Sequence, residues 1–220
     1  MADIFDEVNE ELRAERARRL ARRYGWLGAA AIAAGLAGVG AWQAWEWRQD
    51  QAAIAAGTDF IAAMQAADRG GAHDAALRQF ADLAASAPDG YRVLAGFRAA
   101  ALKFDAGDRA GGLALLDRIA TDDSTDKLLR DYATLIAVQR QADDGAPAAL
   151  HAKLLPLIAP DNPWRPLAEE LGALIDLRAG QTGRARDTLR RLAGDVTAPD
   201  GVRGRASGLL QSLGDTGAGG

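Results

Sequence analysis

Hydrophobic and polar positions divide the chain into three regimes. Residues 1–23 mix acids and arginines with isolated apolar side chains, residues 24–45 carry no charge, and beyond about residue 51 apolar positions recur with the three-and-four spacing of amphipathic helices. In the first regime, "MADIFDEVNEELRAERARRLARR" sets Ile4, Phe5, Val8 and Leu12 at helical spacing. Acids crowd its front half and arginines its back half, the order a helix dipole favours. The pattern predicts a charged leader helix, either simply solvated or serving as a docking segment.

The uncharged stretch, "YGWLGAAAIAAGLAGVGAWQAW", is 22 residues long. As a helix it would extend roughly 33 Å at ~1.5 Å per residue, close to the ~30 Å hydrocarbon thickness of a bilayer. Its ends say more than its length. Of five tryptophans in the chain, three lie in this stretch and a fourth just beyond it. Trp26 joins Tyr24 at one end, and Trp42, Trp45 and Trp47 stand at the other, as indole rings do at the two headgroup interfaces. Residues 24–47 are therefore expected to form one transmembrane helix. Arg13, Arg16, Arg18, Arg19, Arg22 and Arg23 precede the span, whereas only Arg48 stands among Glu46 and Asp50 just beyond it. The positive-inside rule then keeps the amino terminus cytoplasmic and sends the rest of the chain across. A leading region of 23 residues with six acids is unlike a secretory signal, so an uncleaved anchor is expected in place of a removed one. Ala31/Gly35 and Ala34/Gly38 are small residues four apart, which fits a close helix partner but also the chance incidence in an Ala/Gly-rich span.

The third regime is repetitive. "GAHDAALRQFADLA" from Gly71 and "GDRAGGLALLDRIA" from Gly107 align at an offset of 36. Ala76, Phe80 and Leu83 then meet Gly112, Leu116 and Ile119. "GQTGRARDTLRRLA" from Gly180 repeats the pattern with Ala185, Leu189 and Leu192, while "GAPAALHAKLLPLI" from Gly145 is blurred by Pro156. Each instance follows a Gly-containing turn. Helices of matching length precede them: "FIAAMQAA", "YRVLAGFRAAALKF", "KLLRDYATLIAVQRQ" and "RPLAEELGALIDLRA". Asp89-Gly90, Thr125-Asp126 and Asn162-Pro163-Trp164 carry helix-entry signals. The fold class is thus all-α: about four helical hairpins over residues 48–213, closed by a helix near Val202–Leu213, with 214–220 a disordered tail.

A small residue packing against an aromatic or leucine four positions later, at a period near 36, resembles the tetratricopeptide repeat. Ala76, Phe80, Leu83 and Pro88 in the first unit, and Leu171, Gly172 and Ile175 in the last, fall at or near that motif's positions. The charged leader, the Ala/Gly-rich span with its tryptophans and the exported divergent repeats together resemble the ancillary subunit of the SecYEG translocon, the YfgM-like family. "APDNPWRPLAEELGAL" and "DLRAGQTGRARDTLRRLAGD" are similar to that family's last repeat. The resemblance implies a bacterial inner-membrane protein with a periplasmic domain. It would associate with translocon subunits and a periplasmic chaperone, and help exported polypeptides mature. The competing expectation is a repeat scaffold for envelope assembly or cell division without translocon contact.

Composition narrows the chemistry. Without cysteine there is no disulfide, thiol nucleophile or cysteine-ligated metal, and a net charge of −4 with mixed signs makes no broad basic face for nucleic acid. His73 and His151 stand far apart in sequence without carboxylates at ligand spacing, so surface histidines are expected and no metal site. "TDDSTD" at 121–126 lacks the glycine and terminal glutamate of a calcium loop and reads as a capping turn. Glu169 and Glu170 read as acids suited to a helix start. No nucleotide, zinc-protease or nucleophile-elbow motif occurs. The expectation is a protein that is not an enzyme, needs no cofactor and binds protein partners. Solenoids bind along the concave face of their first helices. Arg92, Phe97, Arg98, Tyr132, Gln139, Trp164 and Arg165 are the candidate contact residues, although aromatics in these places equally suit a core and arginines a solvated face.

Overall fold

The computed structural model describes residues 3–69 and 73–214, with side chains from Arg22 onward except at Tyr24, Gly25 and Ala29. The leader's side chains before Arg22, including Arg18 and Arg19, lie outside the described residues, as do the Tyr24 ring and tail residues 215–220. Every regular element among the described residues is helical. Contacts divide the chain into two compact units, Met1–Ile54 and Ala55–Gly220.

Helix α1 runs over Asp3–Asp68. Within the first unit its most apolar 18-residue window has a mean hydropathy of 1.4, and none of that window is buried. Ile32, Leu36 and Val39 stand open, as do Trp26, Trp42, Trp45 and Trp47. The Trp42 and Trp45 rings lie 5.7 Å apart. Arg22 and Arg23 are exposed ahead of the span. Among the described residues one helix is therefore long and apolar enough, by length and composition, to cross a membrane.

The second unit begins with the last turns of α1, from Ala55, and continues with α2 (His73–Ser86), α3 (Asp89–Asp105), α4 (Arg109–Thr121) and α5 (Lys127–Gln141). Then come α6 (Pro147–Leu154), α7 (Arg165–Arg178), α8 (Thr182–Gly194) and α9 (Asp200–Ser212). The end of α1 pairs with α2, α3 with α4, α5 with α6 and α7 with α8, leaving α9 to close the array. The recurring small–apolar–apolar pattern is the buried face of each second helix. Ala76, Phe80 and Leu83 on α2 are all below a tenth exposed, as are Leu116 and Ile119 on α4 and Ala185, Leu189 and Leu192 on α8.

Four core clusters follow one another along the chain, and each draws on three consecutive helices. Ala56, Ala63, Ala76, Phe80, Ala95 and Leu102 join α1, α2 and α3. Val93, Ala100, Leu116, Ile119 and Ala133 join α3, α4 and α5. Leu135, Val138, Leu150, Leu154 and Ile175 join α5 to α7, and Ala173, Leu189, Leu192 and Val202 join α7 to α9. Each internal first helix thus serves two clusters from opposite sides, which is how stacked hairpins bury faces that no single hairpin can cover.

The turns are built from a few local devices. Gly107 and Gly180 have φ of +79° and +75°, the left-handed conformation that glycine adopts without a Cβ clash. Each ends a first helix in a Schellman arrangement, with the next amide donating back to the carbonyl of Lys103 (2.8 Å) or Asp176 (2.8 Å). Asp108 and Asp126 cap α4 and α5 by accepting from Gly111 N and Leu128 N, both at 2.8 Å. The loops after α4 and α8 are alike: Asp122 accepts from the amide and hydroxyl of Ser124, and Asp195 does the same for Thr197. "TDDSTD" is therefore a capping turn. "APDGYR" at 87–92 opens α3 and "APDGVR" at 198–203 opens α9, an internal repeat that places the same helix entry near both ends of the array.

The third hairpin departs from the sequence expectation. Its pattern is intact: Leu150, Leu154 and Leu157 occupy the i, i+4, i+7 positions and all are about 2% exposed. What changes is size and backbone. Leu150 stands where the other units carry alanine or glycine, and α6 stops at Leu154 because Pro156 has no N–H to donate. Residues Leu155–Ile158 continue as a 3-10 turn, which keeps Leu157 facing inward. Space comes from the opposite helix. A Cβ at Gly172 would lie 3.6 Å from His151 Cε1 and 3.8 Å from Leu154 Cδ1.

Gly112 and Gly204 make opposite predictions. A Cβ at Gly112 would sit 2.8 Å from the Phe104 ring, whereas Gly204, inside α9, faces open space. Replacing an open helical glycine by alanine stabilises by about 0.5–1 kcal/mol, and overpacking costs about 1–3 kcal/mol. Chemical denaturation of the full chain in detergent should show Gly204→Ala raising the midpoint and Gly112→Leu lowering it.

Candidate protein-docking face

The first helices of successive hairpins lie side by side, and their common outer face carries exposed apolar relief within the second unit. On α3 this face reads Leu94, Phe97, Arg98, Ala101 and Phe104, at the spacing of one helical stripe. On α5 it reads Tyr132, Ile136, Gln139 and Arg140. Phe60 completes the wall from α1. Together these residues line a depression of about 460 Å³ between α3 and α5. A second depression, of about 850 Å³, shares Phe104, Tyr132, Ile136 and Arg140 with the first and adds Gly107, Arg109, Gln139 and Asp143. Gln139 passes the surface on to a third, of about 750 Å³, floored by Leu135, Leu167, Leu171, Leu174 and Leu209 from α5, α7 and α9. One groove therefore crosses all the first helices of the second unit.

Aromatic contacts hold its spine. Phe97 and Tyr132 have ring centroids 5.5 Å apart, and Tyr132 stacks on Trp164 at 4.8 Å. Trp164 is fixed in turn by its indole N–H, which donates to Leu128 O at 2.9 Å. Asn162, just before it, is buried and donates to Asp131 Oδ2 at 2.8 Å. The entry to α7 is thereby strapped to α5.

The sequence-selected residues divide accordingly. Phe97, Arg98, Tyr132 and Gln139 line the groove, with Phe97 also packed on the α3–α5 core. Trp164 backs Tyr132 from behind. Arg92 is engaged elsewhere: it reaches Ser124 Oγ at 3.0 Å and Asp89 at 2.9 Å, tying the entry of α3 to the loop after α4. Arg165 pairs with Glu169 at 3.0 Å along its own helix. Leu94, Ile136, Arg140, Leu174 and Leu209 were missed by sequence reading. All are apolar or charged residues on already recognised helices, and only the stacking shows which side they face.

Charges beneath this surface act as ties. Glu170 is 6% exposed and not merely an acid at a helix start: Arg205 of α9 donates to its two oxygens at 2.6 Å each. That contact holds the Arg205 guanidinium pKa above its ordinary value. Across the other side of α7, Asp176 is 3% exposed and accepts from Arg184 Nε at 2.9 Å and from His151 Nε2 at 2.8 Å. Burial pushes the Asp176 carboxyl up, but the Arg184 and His151 hydrogen bonds outweigh it and leave the carboxyl below its usual range. His151 is thus a bonded strut between α6 and α7, a correction to its reading as a surface residue. His73 is exposed at the start of α2. Among the described residues no group of three or more His, Cys, Asp or Glu is placed to hold a metal ion.

A stack of helical hairpins with an exposed groove across its first helices defines a repeat-type protein-interaction module. A family model described as a tetratricopeptide repeat-like domain matches residues 18–197, and the chain belongs to that family. The match takes in the apolar stretch as well as the first four hairpins. No curated protein and no solved structure matches the chain. Repeat domains of this family are generally non-catalytic scaffolds for protein partners.

Two expected outcomes follow from the ties. Arg205→Met should lower stability by about 2 kcal/mol in denaturant unfolding, less than the ~3–5 kcal/mol of a fully buried pair because the arginine is half exposed. Asp176 has a folded pKa below its unfolded value of about 3.9, so its contribution is complete above that value and disappears as pH falls through the folded one. Asp176→Asn should be less stable than wild type at neutral pH and should lose less stability on going below about pH 4.

Proposed function

We propose that this chain is a single-span protein of the bacterial inner membrane whose repeat domain, on the periplasmic side, docks polypeptides emerging from the export machinery. On this reading residues 1–23 are cytoplasmic, 24–47 cross the bilayer and 48–213 form the docking domain. Arg18, Arg19, Arg22 and Arg23 hold the amino terminus inside, and Trp26, Trp42, Trp45 and Trp47, with Tyr24, mark the two interfaces. The exposed apolar surface of the span supports membrane residence, since soluble proteins rarely leave so large a patch uncovered.

The observation that carries the binding role is the groove across α3, α5, α7 and α9, lined by Phe97, Arg98, Tyr132 and Gln139. Its occupants would be extended or partly folded exported chains, or a periplasmic chaperone presenting them, beside the translocon. Peptide recognition of this kind uses aromatic anchors in a preformed groove, with cations fixing register.

Both halves are testable. Because the chain has no cysteine, single replacements report topology cleanly. In intact spheroplasts a membrane-impermeant maleimide should label Gln211→Cys, and should label Asn9→Cys only after lysis; the reverse pattern overturns the topology. In mild detergent the wild-type chain should co-purify translocon subunits and a periplasmic folding factor. Arg98→Ala with Tyr132→Ala should reduce that recovery at least tenfold, and unchanged recovery rules out the groove.

A further inference from the structure

The part of the groove between α3 and α5 has a charge pattern that its apolar walls do not require. The depression of about 460 Å³ is lined by two arginines, Arg98 and Arg140, and no acid, while the adjoining one that shares Arg140 adds Arg109 and Asp143. Arg140 lies over the Phe104 ring with its guanidinium carbon 4.6 Å from the centroid, and among the described residues neither side chain pairs with a carboxylate. Among the described residues of the same unit Arg69, Arg78, Arg118, Arg178 and Arg186 also have no acid partner, and Arg178 and Arg186 donate to backbone carbonyls instead. What sets Arg98 and Arg140 apart is that both line one apolar depression.

Their setting narrows what they would bind. Leu94, Phe97, Phe104, Tyr132 and Ile136 line the same depression of about 460 Å³, room for a large side chain together with its neighbours. A cation beside a low-dielectric wall attracts an anion more strongly than one in open water. The groove also continues past Gln139 toward α7 and α9, so a bound chain need not end there.

We infer that this subsite recognises an internal segment of extended polypeptide in which an aromatic or large aliphatic side chain is flanked by acidic ones. The apolar side chain fills the cleft between Phe97, Phe104 and Ile136, while carboxylates on either side meet Arg98 and Arg140. This inference rests on the groove being the docking face, and it adds the chemistry that the groove selects. Single-stranded nucleic acid also offers anions and stacking faces. It is disfavoured because the remainder of the track offers leucines and a neutralised Glu170–Arg205 pair in place of further cations.

The test uses the full chain in detergent micelles and fluorescein-labelled ten-residue peptides, amidated at the carboxyl end so that only side chains supply charge. One peptide carries Asp-Phe-Glu at its centre, a second Asn-Phe-Gln, and a third Asp-Ala-Glu. The first should bind at least tenfold more tightly than either of the others, and its advantage over the second should shrink as salt is raised. Arg98→Gln with Arg140→Gln should abolish the preference for the first peptide over the second. Arg98→Glu with Arg140→Glu should turn the preference toward Lys-Phe-Lys, a reversal that a folding defect would not produce. Equal binding of the first two peptides overturns the inference while leaving a purely apolar docking groove standing. Failure of all three peptides, together with unchanged partner recovery in Arg98→Ala/Tyr132→Ala, overturns the docking face itself. Displacement of the first peptide by an oligothymidylate of equal charge would assign the subsite to nucleic acid and overturn the inference.

Discussion

Every feature of the second unit depends on one constraint: an amphipathic hairpin has more apolar surface than it can hide by itself. The chain meets this by letting α3, α5 and α7 each serve two core clusters, one on either side. Small residues make the sharing possible. Ala95, Ala99, Ala100, Ala133, Ala137 and Ala173 are almost fully buried on those helices, so their backbones approach closely and the core is thin. A thin core leaves the larger side chains of the first helices free to face outward, and that outward face is the groove. Packing and binding surface are thus two sides of the same helices.

Polar ties take over where thin apolar packing leaves off. Glu170 with Arg205 joins α7 to α9, and Asp176 with Arg184 and His151 joins α7 to α8 and α6. Asn162, Asp131, Trp164 and the Leu128 carbonyl strap α7 to α5. Two of these ties, His151 with Asp176 and the Asn162–Trp164 strap, reach the third hairpin, where α6 is the shortest α-helix among the described residues and Pro156 removes a backbone bond. The alignment of side-chain bonds with lost backbone bonds is a local compensation.

Much of this was legible in the sequence for definite reasons. The repeat of Ala76–Phe80–Leu83, Gly112–Leu116–Ile119 and Ala185–Leu189–Leu192 is a helix face written in residue size, and it reads directly as burial. Turn glycines and capping aspartates are local signals that need no tertiary context. The third unit was harder because Pro156 hid an intact pattern at Leu150, Leu154 and Leu157. Long-range pairings were not legible at all: nothing at Glu170 points to Arg205, and nothing at His151 points to Asp176. For the same reason Arg92 looked like a groove residue. An arginine near a helix start faces wherever its partner lies, and its partners Asp89 and Ser124 sit at a loop.

Charge is spread unevenly along the groove. Its α3–α5 end presents two bare guanidinium groups among aromatic rings, whereas its α7–α9 end presents leucines over an already neutralised pair. The two ends are consequently not interchangeable for anything lying across them. If the groove takes an extended chain as proposed, a chain acidic at one end and apolar at the other would lie across it in one orientation only.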